Sequence, residues 1–208
     1  MFVIAACAGV ADVVFVLDNS GSLLVTDWTT VLDFCVAVVH NLYVGRDAVR
    51  VAAVVYGNTA RVAFNLLQYE TKTDIISALE NMPYSDSFLT RTDLVLDLTR
   101  TDVLLSAAGA RDDVGDVCIV VTDGQSQFPN ATVEAADRLH DAGVRTFTIA
   151  IGRNSAAFQE ELRHIASAPA SEHLFEVSQF SSLRFIEETL VLRTCRPSPA
   201  GTSPNSGP

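Results

Sequence analysis

Five residues of the 208-residue chain carry side-chain oxygen where they could share one cation: Asp18, Ser20, Ser22, Thr90 and Asp123. The first three stand in Asp18-Asn19-Ser20-Gly21-Ser22, the last in Thr122-Asp123-Gly124-Gln125-Ser126, and Thr90-Arg91-Thr92 lies between them. Hard oxygen donors suit Mg²⁺, Mn²⁺ or Ca²⁺ rather than zinc or copper. Two carboxylates among neutral hydroxyls leave a small octahedral ion holding waters, so one position stays open to a carboxylate from another molecule. This is a binding device. The chain lacks a Gly-x-Gly-x-x-Gly phosphate loop and a Gly-x-Ser-x-Gly elbow, and no histidine neighbours Ser20 or Ser22 in sequence, so catalysis is not expected. Taken alone, Asp-x-Ser-x-Ser is a weak signal and reads more readily as a helix cap. The weight lies in the order of the three segments and in what surrounds them.

Strands alternate with helices. The continuous apolar run 12–18 is a strand buried on both faces. Trp28, Val31, Leu32, Cys35, Val38, Val39 and Leu42 recur at helical spacing. Strands follow over 49–56 and 60–64, joined by Gly57-Asn58 as a hairpin. Helices are expected over 73–79, capped by Thr71 or Thr73, and over 94–104. The apolar segment 117–122 is a second buried strand. Helix 132–141 is ended by Gly143, strand 144–151 follows, and helix 156–167 stops before Pro169. Strand 174–177 and helix 181–194, striped by Leu183, Ile186, Leu190 and Val191, complete the pattern. The fold class is α/β: a doubly wound, mostly parallel sheet with helices on both faces and the hairpin supplying one antiparallel edge strand. Ligands of such sheets bind beyond the carboxyl ends of the strands, where strand order reverses. If strands 12–18 and 117–122 are neighbours, the three oxygen-bearing loops meet there. No internal repeat is present.

Hydrophobic residues make up 49% of the chain, enough for a substantial core, and the net charge is −11. An acidic surface repels phosphate backbones, which excludes nucleic acid as a partner and favours cations, basic proteins or mineral. No apolar run reaches the roughly 18–20 residues that span a bilayer. The short apolar start, 1–8, lacks a basic opening and runs almost directly into the first strand, so the chain is expected to be a piece of a longer secreted protein, or to lack its true N-terminus. Four cysteines allow three pairings. Cys7 and Cys195 bracket the patterned region, and a clasp between them would stabilise by about 4–5 kcal/mol and imply an oxidising compartment. Free thiols in a reducing compartment are the alternative. Cys35 and Cys118 lie within apolar runs as core thiols. Residues 1–10 form a flank, 11–195 the domain, and 196–208 a Pro/Ser-rich tail of linker composition expected to be disordered. Asn130-Ala131-Thr132 is a glycosylation acceptor, although Asn130 could instead cap the following helix. The four histidines show no metal-ligand spacing.

Taken together, these segments resemble a von Willebrand factor A domain. The stretch 15–22 is similar to the family's first strand and first metal loop, 49–56 with 58–64 to its hairpin, and 120–126 to its later metal loop. The closing segments 143–152, 165–169 and 173–177 resemble those of matrilins and of collagen A domains. The likeness covers about 11–195. It implies that Ser20, Ser22 and Thr90 coordinate a metal through hydroxyls, with Asp18 and Asp123 holding it directly or through water. The implied role is that of an extracellular module, which grips a matrix or cell-surface protein through that cation and sits beside sibling domains. Arg91, the variable residue of the Thr-x-Thr segment, would bring positive charge to the site. In integrin relatives the last helix slides when ligand binds, and Ile186 and Leu190 would be its packing residues here; ordinary core packing is the simpler reading. A structural or mineral-associated role without metal is the competing function, to be separated by whether binding survives a chelator.

Overall fold

The computed structural model describes residues 9–152 and 155–194, so Cys7, Cys195, any clasp between them and the 196–208 tail lie outside the described residues. In chain order the elements are β1 (Ala11–Asp18), α1 (Val25–Asn41), β2 (Val49–Tyr56), β3 (Ala60–Phe64), α2 (Lys72–Glu80) and α3 (Thr92–Leu98). They continue with β4 (Gly115–Thr122), α4 (Pro129–Asp141), β5 (Arg145–Ile151), α5 (Ala156–Ile165), α6 (Ala170–His173), β6 (Leu174–Val177) and α7 (Glu187–Thr194). The sheet order is β3-β2-β1-β4-β5-β6. Every neighbouring pair is parallel except β2 with β3, which are antiparallel at one edge.

β1 is central and buried at all its positions. Val13, Phe15 and Leu17 join a core with Trp28 and Val38 of α1, Ile75 of α2, and Leu190 of α7. Val14 and Val16 face the other way, onto Val95 and Leu96 of α3 and Ala135 and Leu139 of α4. Two cores demand apolar side chains on both faces, hence an unbroken run where a half-buried strand would alternate. The chain leaves β1 for β2 and β3 on one side, then returns to β4 on the other. The carboxyl ends of β1 and β4 thus adjoin while their connections diverge, which opens a crevice at that edge.

The opposite end of β1 is locked by a buried ion pair. Asp12 is fully buried, and Arg111 donates to it from Nε (3.0 Å) and Nη2 (2.6 Å) to Oδ1 and from its backbone N–H (2.7 Å) to Oδ2. Arg111 Nη2 also reaches the carbonyls of Ala11 at 3.0 Å and Ala48 at 2.8 Å.

Three elements differ from the sequence expectation. The helix expected over 94–104 is α-helical only to Leu98, then widens into a π turn over Thr99–Val103, where the Thr99 hydroxyl donates to the Val95 carbonyl at 2.7 Å. The last helix is a 3₁₀ segment, Phe180–Phe185, followed by α7; Leu190 is fully buried, and Ile186, at the junction, packs partly buried on the same core. α4 begins at Pro129 with Phe128 at its cap, so Asn130 lies exposed inside the first turn and does not cap it. Proline fixes the first helical φ and has no N–H to satisfy, which moves the start upstream. Cys35 and Cys118 are buried free thiols.

Candidate metal centre

β1 ends by delivering Asp18, 2% exposed, to the crevice. Its Oδ1 accepts the Ser20 backbone N–H at 3.0 Å, and its Oδ2 accepts the Thr122 hydroxyl, from the end of β4, at 2.8 Å. The turn after Asp18 brings Ser20 and Ser22 together, Oγ to Oγ 3.0 Å. Ser22 Oγ then donates to Asp123 Oδ1 at 2.7 Å, joining residues 101 apart in the chain. Four of the five expected residues are thereby one connected oxygen cluster. Thr90 is placed beside it through its backbone: its carbonyl accepts the Gln127 N–H at 2.9 Å, which ties the third loop to the loop bearing Asp123.

Close backbone approach seats that third loop. The Gly21 N–H donates to the Ser87 carbonyl at 2.6 Å, and a Cβ at Gly21 would lie 2.5 Å from Asp86 Oδ1. A Cβ at Gly57 would collide with the Ser87 side chain, while the Gly57 carbonyl accepts the Arg91 N–H at 3.1 Å. Asn19 bridges the same loops, donating to the Pro83 carbonyl at 3.1 Å and accepting the Ser85 N–H at 2.7 Å.

Electrostatically the site is short of positive charge. Burial, with Asp123 nearby, pushes the Asp18 carboxyl from 3.8 up to about 6 against the lowering effect of its hydrogen bonds to Ser20 and Thr122. Burial also raises Asp123, opposed by its bond from Ser22. Arg91 does not supply the missing charge, contrary to the expectation from its position. Its guanidinium forms a bidentate pair with Asp93 (2.8 and 2.7 Å) and lies 4.8 Å from the centre of the Phe128 ring. The short side chain two residues on is the nearest carboxylate, so the charge is neutralised locally before it can act on the cluster.

The von Willebrand factor type A domain profile matches residues 12–189. The chain belongs to that family. It is 33% identical to chicken matrilin-1 over 92% of its own length and 38% of that protein, and 32% identical to chicken integrin alpha-1 over 88% and 66%. It is 33% identical to the mouse collagen alpha-4(VI) chain over 90% of its length and 8% of that chain. The domain thus spans well under half of the matrilin and collagen relatives it matches. These relatives are matrix and adhesion proteins, not enzymes. Among solved structures, proximal thread matrix protein 1 from the mussel byssus, described with a zinc-occupied MIDAS motif, superposes with a TM-score of 0.81 at 28% identity, covering 93% of this chain and 48% of that one. The Plasmodium vivax TRAP protein shares the fold at a TM-score of 0.71 and 21% identity.

Thr122 escaped the sequence reading as a site residue. Its hydroxyl bonds Asp18 and also meets the Gly124 carbonyl at 3.0 Å and the Gly124 N–H at 3.3 Å, fixing the turn that aims Asp123. Its place immediately before Asp123 was the available signal. Thr92, the second threonine of Thr-x-Thr, is 2% exposed, near the buried Tyr56 hydroxyl, whose pKa burial raises.

Proposed function

We propose that this domain captures an extracellular matrix or cell-surface protein through a divalent cation held by Asp18, Ser20, Ser22, Thr90 and Asp123. The observation that carries the reading is the Ser22–Asp123 hydrogen bond of 2.7 Å, which brings the first and last metal loops into one oxygen cluster. The donor chemistry fits. Buried Asp18 and half-buried Asp123, both raised in pKa and with no cationic side chain bonded to them among the described residues, gain the counter-charge they lack when a dication enters. A donor set made only of hydroxyl and carboxylate oxygens favours a hard ion that keeps its waters over a soft-ligand cage. Mg²⁺, with Mn²⁺ or Ca²⁺ as substitutes, is the proposed cation. The mussel protein is described with zinc in this motif, so oxygen donors by themselves do not exclude zinc.

When bound, the cation supplies a Lewis-acidic anchor for a partner carboxylate. The chain's own part is to present hydroxyl and carboxylate oxygens in a fixed cluster and to leave one side open. The same reading makes the protein secreted, with a glycan on the exposed Asn130, a Cys7–Cys195 clasp, the domain over 11–195, and sibling domains in a longer parent chain. The relatives' larger size supports the last point.

Calorimetric titration with Mg²⁺ and Mn²⁺, wild type beside Asp123→Ala, tests the site. Saturable binding in the wild type only is expected. Absence of cation binding, together with partner capture that persists in chelator, would replace this reading with the metal-independent structural role.

A further inference from the structure

Helix α5 carries a buried carboxylate that the cation cluster does not use. Glu161 is 4% exposed, and its Oε1 accepts the backbone N–H of Ser126 at 3.0 Å across 35 residues. Ser126 is itself only 5% exposed. No salt bridge to Glu161 is formed among the described residues; the ion pairs of α5 belong to its neighbour Glu160, with Arg163 and His164. Glu161 Oε2 and the Ser126 hydroxyl are both buried without a partner at full bonding geometry. A buried, unpaired carboxylate is costly, and apolar contacts could have packed α5 without one. What this carboxylate obtains is the Ser126 backbone amide of the loop that begins at Asp123, with the Ser126 and Gln125 side chains of the same loop turned toward it.

That loop is held at three places. Thr122 Oγ1 grips Gly124 at its start. The Thr90 carbonyl takes the Gln127 N–H near its end. Between them, Glu161 is the side chain that reaches the loop from outside the crevice among the described residues. A charged acceptor on a backbone N–H is among the stronger hydrogen bonds, and a side chain on a helix is a stiffer post than one on another loop.

We infer that Glu161 is a positioning residue: it fixes the 123–127 loop so that Asp123 meets Ser22, and so sets the affinity of the cation cluster from the far side of α5. This rests on the metal-binding reading above for its effect on affinity, but not for its hold on the loop. Groups that orient metal-bearing segments from behind typically change metal affinity by about 10- to 100-fold when removed.

The test uses Glu161→Ala, Glu161→Asp and Glu161→Gln in the full chain, with Leu162→Ala as a control that damages α5 packing without touching the loop; Leu162 is fully buried with Ala150 and Phe158. Two quantities are measured: amide hydrogen exchange at Ser126 and Gln127 in chelator, and Mg²⁺ affinity by calorimetry. The Ala and Asp variants, which cannot reach the amide, should exchange at Ser126 at least about tenfold faster and bind Mg²⁺ about tenfold or more weakly. Gln keeps a carbonyl acceptor and should stay within about threefold of wild type in both. Leu162→Ala should lower stability and leave both unchanged. Unaltered Ser126 exchange in the Ala and Asp variants, or an equal change in Leu162→Ala, overturns the inference. If the wild type binds no cation, the metal reading fails by itself, and the exchange data still decide whether Glu161 holds the loop.

Discussion

Replacing Asp18 by asparagine should stabilise the protein in chelator while destroying its cation site. Asp18 is 2% exposed, and its carboxyl is raised from 3.8 to about 6, chiefly by burial. A native pKa above the unfolded one means the native state holds the proton longer. Below about pH 4 the group is protonated in both states and contributes nothing. Between about pH 4 and 6 the unfolded chain gives up its proton first, and stability falls as pH rises. Above about 6 the full cost is in force, and the rise from 3.8 to about 6 corresponds to about 3 kcal/mol. Asparagine removes the charge and can keep the contacts, with its carbonyl accepting Ser20 N–H and its amide donating to Thr122 Oγ1. Urea unfolding in EDTA at pH 7 should therefore place Asp18→Asn about 2–3 kcal/mol above wild type, and the gap should close as the pH is lowered to about 4. With Mg²⁺ at a hundred times its dissociation constant, wild type should gain about 2.7 kcal/mol and the variant nothing. A variant less stable than wild type at pH 7 in EDTA, or a gap that does not depend on pH, would refute the assignment of a desolvated, charge-starved carboxylate.

Arg111→Met should cost about 3–5 kcal/mol, because Asp12 would remain buried without its cation, and the second change Asp12→Asn should recover part of that loss; chemical denaturation of the single and double variants measures both. Arg91→Ala should alter Mg²⁺ affinity by less than about threefold, since its charge is already spent on Asp93 and covered by Phe128; a tenfold gain in calorimetry would show instead that Arg91 repels the cation.

The chain's own pattern announced the sheet and the oxygen-bearing loops, because both leave local traces. A central parallel strand must be apolar on both faces, which made 12–18 and 117–122 visible, and an oxygen cluster at strand ends needs Asp, Ser and Thr in short runs, which made Asp18, Ser20, Ser22 and Asp123 visible. Element ends were less legible. Pro129 drew the start of α4 past Asn130, and the Thr99 hydroxyl competes for the helix ladder where α3 widens. Only the tertiary structure decided where charge goes and what holds the loops. Arg91 looked like a neighbour of the site in sequence, but its side chain turns onto Asp93 and Phe128. Thr122 and Glu161 act through contacts that span 104 and 35 residues, and no periodicity or spacing encodes which buried hydroxyl or carboxylate will meet which amide. Hydrophobic pattern is written along the chain because burial acts on each residue by itself; hydrogen bonds that aim a site depend on pairs, and those pairs exist only once the chain has folded.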